Sequence, residues 1–210
     1  MRDAIRTKAF QIPIAGLMFV LGICTVAVTQ TAMRTKTSSS SAREAMINVL
    51  ASGEPNPSLG EEAQTFDRFV GTWGAGFTTY RKEGKVYHRK GELHFGWVLD
   101  GRAVQDLWIA YPTADRKERE IGTTIRFFDT SLNQWRIVFI LPEFNYVVTA
   151  QGGREGDRIV LRGVDSNGFP VRWTFSEITR DTFHWQGERS YDGGKTWKLE
   201  EDHHMKRRAG

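Results

Sequence analysis

From Gly71 to the C-terminus, apolar and polar residues alternate over short runs, and clusters of turn-forming residues separate these runs. A period of two is typical of strands that bury one face, whereas a helix repeats every 3.6 residues. The turn clusters predict about ten strands joined mostly by hairpins. Because no helical pattern stands between the runs, parallel strand–helix–strand units are not expected. The nine turn clusters cover residues 82–85, 100–101, 112–120, 130–134, 141–145, 152–157, 165–169, 179–181 and 191–195.

A meander of this size has two edge strands whose backbone groups lack partners unless the sheet closes on itself or folds into a sandwich. Pairing between strands that are consecutive in sequence favours closure. We therefore predict an all-β fold, an antiparallel up-and-down β-barrel of about ten strands over residues 59–210. A short helix from about Glu61 to Phe69 should precede it, and a Greek-key sandwich is the alternative.

The N-terminus has the pattern of a targeting segment. Basic residues, including Arg2 and Lys8, precede a 17-residue apolar run, Ile12–Val28. We predict that residues 1–32 are a signal peptide or a signal-anchor, so that the domain is exported and is periplasmic, secreted or membrane-anchored. The alternatives are lipidation at Cys24, where Ile23 departs from the lipoprotein pattern, and a cytosolic protein with a buried N-terminal helix.

Residues 33–58 are predicted to be a Ser/Pro-rich linker. Within the linker, Ser41 and Glu44 have the spacing of a capping box, which indicates a short helix ending near Ala51. Pro55 and Pro57 follow this segment and would stop the helix.

Charge and cysteine content exclude several classes of function. The net charge is +4, of which +2 belongs to residues 1–32, so the domain is too weakly basic for a nucleic-acid groove. Cys24 is the single cysteine, which excludes a disulfide, a thiolate zinc site and a cysteine nucleophile in the domain. Phosphate-binding loops, dinucleotide fingerprints and the HExxH motif are absent from the sequence.

The last strands allow their inward face to be assigned by parity. Trp173 and Trp185 each share a face with other aromatic residues, and this face should point into the barrel. By the same parity Arg189, Glu201 and His203 also point inward. Inward polar groups either satisfy one another or orient a ligand, and both interpretations remain open at this point.

Gly71-Thr72-Trp73 opens the first predicted strand after the short helix, and it resembles the G-x-W signature of calycins, the lipocalin-like barrels. Residues 96–106, 122–129 and 185–197 resemble a bacterial calycin-type family of unknown function. The resemblance spans roughly residues 62–208 and implies a barrel in which Arg207, near the end of the last strand, packs over Trp73. It implies no particular reaction.

Residues 190–197 also match the Asp-box of sialidase-like propellers, a hairpin motif without a catalytic role. One copy argues against a propeller. The match predicts that Asp192 caps a turn, that Gly193 and Gly194 have positive φ, and that Trp197 begins the last strand in the core.

The five histidines form no metal site by sequence spacing, because His203 and His204 face opposite sides of a strand. We therefore predict no metal site. His203 shares the inner face and is a candidate general base or axial haem ligand. Haem barrels of the nitrobindin type use a C-terminal histidine, but Phe77 stands where their pattern has a glycine. No cofactor is predicted, with haem as the alternative.

These observations support two functions. The first is an extracytoplasmic barrel that binds a small hydrophobic or amphipathic molecule through Trp108, Trp173, Trp185, Arg189 and His203, and that reaches the membrane through its N-terminal segment. The second is a calycin-type enzyme that carries out isomerase or cyclase chemistry on a hydrophobic substrate. Its candidate catalytic residues are His203, Glu201 and Asp106; Trp97 and Trp135 are further candidates for the ligand wall.

Overall fold

The computed structural model describes residues 40–81 and 84–209. The predicted signal or anchor segment, residues 1–32, lies outside the described residues. Among those described, no helix combines the length and apolar character needed to cross a membrane. The chain divides into two compact units, 1–47 and 48–210. A helix, α1, covers residues 40–50, close to the helix predicted from the capping box.

The barrel is closed and contains ten antiparallel strands, β2 to β11. Each strand pairs with its neighbours in sequence, and β2 pairs with β11 to complete the circle. An additional strand, β1 (Ala51–Ser52), pairs with the end of β3. The predicted up-and-down barrel is therefore confirmed. The barrel strands are β2 Gly71–Tyr80, β3 Val86–Val98, β4 Ala103–Ala110, β5 Glu120–Asp129, β6 Gln134–Leu141, β7 Tyr146–Glu155, β8 Arg158–Asp165, β9 Pro170–Ser176, β10 Thr182–Arg189 and β11 Lys198–Arg207.

The helix before the barrel is mostly a 3-10 helix. It covers Pro57–Ala63 and passes directly into one α-helical turn, α2 (Gln64–Asp67). The Asn56 side chain accepts a hydrogen bond from the Ser58 amide at its start, and Gly60, at φ 54°, interrupts the helical path. The helix predicted over about 61–69 therefore corresponds to the end of this 3-10 helix and the single turn of α2, so it is shorter and less regular than one α-helix. A second 3-10 turn, Pro142–Phe144, connects β6 to β7.

Aromatic residues fill the end of the barrel next to α2. Phe66 and Phe69 are fully buried and lie among the rings of Trp73, Phe175 and Phe183. The Phe69 and Phe183 rings meet edge to face with centroids 4.8 Å apart, a favourable aromatic geometry. We call this the closed end of the barrel, because α2 and the side chains of Phe66 and Phe69 fill it.

Arg207 fastens the last strand to the first at the closed end. Its guanidinium carbon lies 4.1 Å from the centroid of the Trp73 ring. It donates hydrogen bonds to the backbone carbonyls of Arg68, Val70 and Arg180 at 2.7–2.8 Å. Gly71 has φ 122°, and a Cβ there would lie 2.9 Å from the Arg207 Nη1 atom. The close approach of Arg207 therefore requires glycine at this position.

The Asp-box residues form a turn, as their pattern predicts. Asp192 accepts hydrogen bonds from the backbone and hydroxyl of Thr196, and Gly193 and Gly194 have φ 72° and 93°. The prediction that Trp197 enters the core is wrong. Its ring packs under the outward-facing guanidinium of Arg172, at 4.6 Å.

A β-bulge explains this error. The β10–β11 pairing shifts register after Gly187, which pairs with Glu201, because the next residue of β10 pairs with Leu199. Glu200 is the extra residue, and the parity of β11 reverses there. Counting backwards from the inward-facing His203 therefore assigns Trp197 to the wrong face.

Candidate functional site

The end of the barrel opposite α2 is only partly filled. Trp108, Phe139, Tyr146 and Trp185 occupy inward positions, yet each is only half-buried. An inward side chain in a closed barrel can be exposed only toward the interior or its mouth. Their exposed surfaces therefore face the interior or the mouth at this end of the barrel, in contrast to the closed end, where Trp73 is fully buried.

Three of the inward rings lie against glycines of the barrel wall. A Cβ on Gly91 would come within 2.3 Å of the Phe77 ring, and one on Gly122 within 2.8 Å of the Phe139 ring. A Cβ on Gly187 would come within 2.7 Å of the Trp185 ring. Because these wall positions carry no side chain, the three rings can lie close against the backbone of the wall.

These residues define a chamber at the open end of the barrel. Trp173 is buried in its wall and contacts the Trp185 ring at 5.4 Å and the Phe139 ring at 5.7 Å. The Phe77 and Trp108 rings meet at 4.9 Å on the other side. The chamber residues are Phe77, Trp108, Phe139, Trp173, Trp185 and the polar residues Glu201 and His203.

His203 stands between two aromatic rings of the chamber. Its ring stacks on Trp185 at 4.7 Å and meets the edge of Phe77 at 4.7 Å. Burial, with smaller contributions from His184 and His204, lowers the pKa of His203 to about 3. Among described residues, neither ring nitrogen has a hydrogen-bond partner. A neutral imidazole in an apolar cage is therefore available to hydrogen-bond a ligand.

Glu201 lies two residues before His203 on the same inner face of β11. Burial raises the pKa of its carboxyl, opposed by the nearby charges of Arg81 and Arg189. It makes no hydrogen bond or ion pair within the described part of the chain. Two adjacent polar groups, both biased toward their neutral forms and both without partners, are typical of a site that receives a ligand.

Arg189 is held at the rim of the chamber by its own partners. It pairs with Asp165 at 2.9 Å and Glu200 at 3.1 Å, and donates to the Tyr146 hydroxyl at 2.9 Å. Burial raises the pKa of Tyr146 to about 12, so the phenol stays protonated. With two carboxylates already bound, Arg189 shapes the rim rather than offering a free cation.

A cleft of about 480 Å³ adjoins this rim beside the start of β11. Three of its lining residues are basic, and two others, Tyr80 and Leu199, have large apolar side chains. The lining residues are Tyr80, Arg81, Gly84, Lys85, Lys198 and Leu199.

Asp106 does not join the chamber residues. It is buried and forms an ion pair with Arg126 at 2.5 Å, and it accepts a 3.3 Å hydrogen bond from Thr124. The Arg126 guanidinium in turn lies 5.2 Å from the Phe66 ring of the closed end. A neighbouring arginine already pairs with the Asp106 carboxylate, and the catalytic role suggested for Asp106 stays a prediction. Trp97 and Trp135 also lie in the filled part of the core.

Sequence reasoning missed Phe77, Phe139 and the wall glycines. Phe77 was noted only as a departure from a haem-protein pattern. The available signal was the placement of glycines at inward positions of long strands, since Gly91, Gly122 and Gly187 share the buried face of their strands. Which aromatic side chain covers each glycine depends on cross-strand register, which local sequence does not contain.

Two solved structures share this architecture. Rv2717c from M. tuberculosis matches with a TM-score of 0.56 at 14% identity, covering 74% of this chain and 100% of that one. The S-type phycobiliprotein lyase CPES from Guillardia theta matches with a TM-score of 0.55 at 12% identity, covering 70% and 92%. No family model and no curated protein matches the sequence. The likeness shows the fold, a closed antiparallel β-barrel.

Proposed function

We propose that this barrel binds a small hydrophobic or amphipathic molecule in the open-end chamber. The observation that carries the proposal is the set of half-buried inward rings, including Trp108 and Trp185, around a pair of unpartnered polar groups. Apolar walls with a few placed polar groups are the usual composition of small-molecule sites. One similar barrel is a phycobiliprotein lyase, which is compatible with a ligand-binding role for the chamber.

The chamber favours a particular ligand chemistry. The neutral imidazole of His203 and the carboxyl of Glu201, whose pKa burial raises, both offer hydrogen bonds to a ligand. Flat aromatic walls suit a planar, largely apolar molecule. We therefore infer a neutral ligand with one or two hydrogen-bonding groups. The predicted N-terminal segment favours binding outside the cytoplasm, at or beyond the membrane.

Gly187→Ala tests the proposal directly. The new Cβ meets the Trp185 ring tip and should push it into the chamber, while the nearest atom beyond this ring, the Glu201 Cβ, is 3.4 Å away. Gly96→Ala is the matched control, because nothing lies within 4 Å of its Cβ position. The full-length proteins are purified in parallel, and bound molecules are extracted and quantified by mass spectrometry.

We expect a co-purifying molecule near one equivalent in the wild type and in Gly96→Ala, and a loss of at least about tenfold in Gly187→Ala. If the wild type carries nothing, uptake of N-phenyl-1-naphthylamine by the three proteins provides the comparison. Equal binding by both variants, or none by any protein, contradicts the proposal. An intense Soret absorbance would instead identify the molecule as haem, with His203 as the residue to substitute first.

Proton transfer is a second candidate, favoured by the raised pKa of the Glu201 carboxyl in an apolar chamber. His203 is a weak base in this setting, because its pKa near 3 leaves little affinity for a proton. With the bound molecule identified, Glu201→Gln should abolish its conversion and retain its binding. Conversion at an unchanged rate would refute the role of Glu201. No conversion by the wild type would refute the enzyme hypothesis and leave the binding proposal intact.

A further inference from the structure

Three metal-ligating side chains meet on the outer face of the β10–β11 hairpin. His184 and His204 are directly paired across the two strands, and their rings stack with centroids 4.3 Å apart. Asp202 precedes His204 by two residues and so shares its face. One ligand atom from each residue lies within 4.8 Å of the other two.

The donor atoms converge on one point. The Nε2 atoms of His184 and His204 both face Oδ1 of Asp202, the first in direct contact and the second at 3.6 Å. Two imidazole nitrogens directed at one carboxylate oxygen require either two protons or one cation between them. Ligand atoms around a tetrahedral zinc ion lie about 3.3 Å apart, so only small movements are needed.

Exposure decides which side chain moves. The side chains of His184 and Asp202 are 13% and 19% exposed, whereas His204 is 70% exposed. Parallel stacked rings do not point both lone pairs at one metal, so one ring must tilt. The His204 ring can tilt toward the ion without unpacking the barrel, and water can fill the remaining coordination position.

A neighbouring carboxylate adds support from outside the cluster. Glu177 Oε1 lies 4.0 Å from Nδ1 of His184, the nitrogen that faces away from the site. Metal-bound histidines usually donate their other N–H to a carboxylate or carbonyl. We propose that His184, Asp202 and His204 bind a divalent transition metal ion such as Zn(II) or Ni(II).

The site lies directly behind the chamber wall. On the inner face of the same two strands, Trp185 pairs with His203. This inner stack of rings and the outer stack of His184 on His204 are consecutive residue pairs of the β10–β11 ladder. A metal that joins His184 to His204 would hold the β10–β11 register from outside.

The test uses the full-length protein, purified without a polyhistidine tag, stripped with EDTA and titrated with Zn(II) and Ni(II) by calorimetry. His204→Gln is the main variant, because this exposed side chain is not needed for folding, which circular dichroism verifies. His94→Gln is the matched control: His94 Nε2 lies 3.4 Å from the Glu92 carboxylate, but among described residues it shares no cluster with a second histidine.

We expect one saturable site per chain, with the dissociation constant raised at least about tenfold in His204→Gln and unchanged in His94→Gln. Cu(II) bound at the site should show electron paramagnetic resonance coupling to two imidazole nitrogens, and to one in His204→Gln. Binding of equal strength in the wild type and His204→Gln, or an equal loss in His94→Gln, overturns the assignment.

Discussion

Acidification should destabilise this barrel through His203. The imidazole is 4% exposed and lies between Phe77 and Trp185, where a positive charge would have no partner. Its pKa is about 3 in the folded protein, compared with about 6.5 for an unperturbed histidine. Below about pH 6.5 His203 is protonated in the unfolded chain but stays neutral in the folded chain. The contribution of the neutral imidazole to stability is therefore fully present above about pH 6.5 and is lost as pH falls toward 3.

The size of the effect follows from the two pKa values. Each unit between the pH and the unfolded pKa costs about 1.4 kcal/mol, so this histidine should cost about 2 kcal/mol at pH 5 and about 3 kcal/mol at pH 4. At pH 7 the contribution is near zero. The Glu201 carboxyl, whose pKa burial raises, also lies close by, so the wild-type curve alone does not isolate His203.

A variant removes this ambiguity. His203→Leu keeps an apolar side chain of similar length and cannot be protonated. Urea unfolding of both proteins at pH 7, 5 and 4 gives the free energy of unfolding of each. The difference between variant and wild type should shift in favour of the variant by about 3 kcal/mol from pH 7 to pH 4. A difference that stays constant within about 0.5 kcal/mol would refute the burial of a neutral imidazole.

Two further substitutions test the closed end. Arg207→Ala removes three hydrogen bonds to carbonyls and the contact with Trp73, and should lower the free energy of unfolding by about 3 kcal/mol. In contrast, Arg208→Ala, at an exposed ion pair, should cost less than about 1 kcal/mol; equal losses in the two variants would contradict the role of Arg207. Asp106→Asn leaves Arg126 buried without its carboxylate and should cost about 3–5 kcal/mol, whereas the double variant with Arg126→Met should recover much of this loss in thermal unfolding. If the double variant does not recover stability, the ion pair contributes more to the stability of the fold than the neutralisation of two buried charges.

Most of the fold could be predicted from local sequence, because all strand pairings within the barrel except the closing β2–β11 pair join consecutive strands. Period-two alternation identifies strands, turn clusters separate them, and short connections force neighbours to pair. Parity then gave the correct inward face for residues 201–207 of β11. It failed at Trp197 because one extra residue, Glu200, forms a bulge, and nothing in the alternation of that segment indicates the bulge.

The sites were less predictable because they depend on which residues meet across strands. The prediction of no metal site considered histidines along single strands, where His203 and His204 point apart. The cluster arises between strands, from the pairing of His184 with His204. The ion pair of Asp106 is not visible in the local sequence for the same reason, since its partner Arg126 is twenty residues away and meets it only through the β4–β5 register.

The β10–β11 ladder connects the two proposals. His184 and His204 face outward at one step of this ladder, and Trp185 and His203 face the chamber at the next. A metal that favours one register and ring arrangement on the outer face acts on the strands that position the inner stack. Binding at two sites that share such an element must be coupled reciprocally: whatever factor the metal applies to ligand affinity, the ligand applies to metal affinity. If the metal does not change the ligand affinity of the chamber, the ladder is already rigid without the metal. The metal would then act on stability alone.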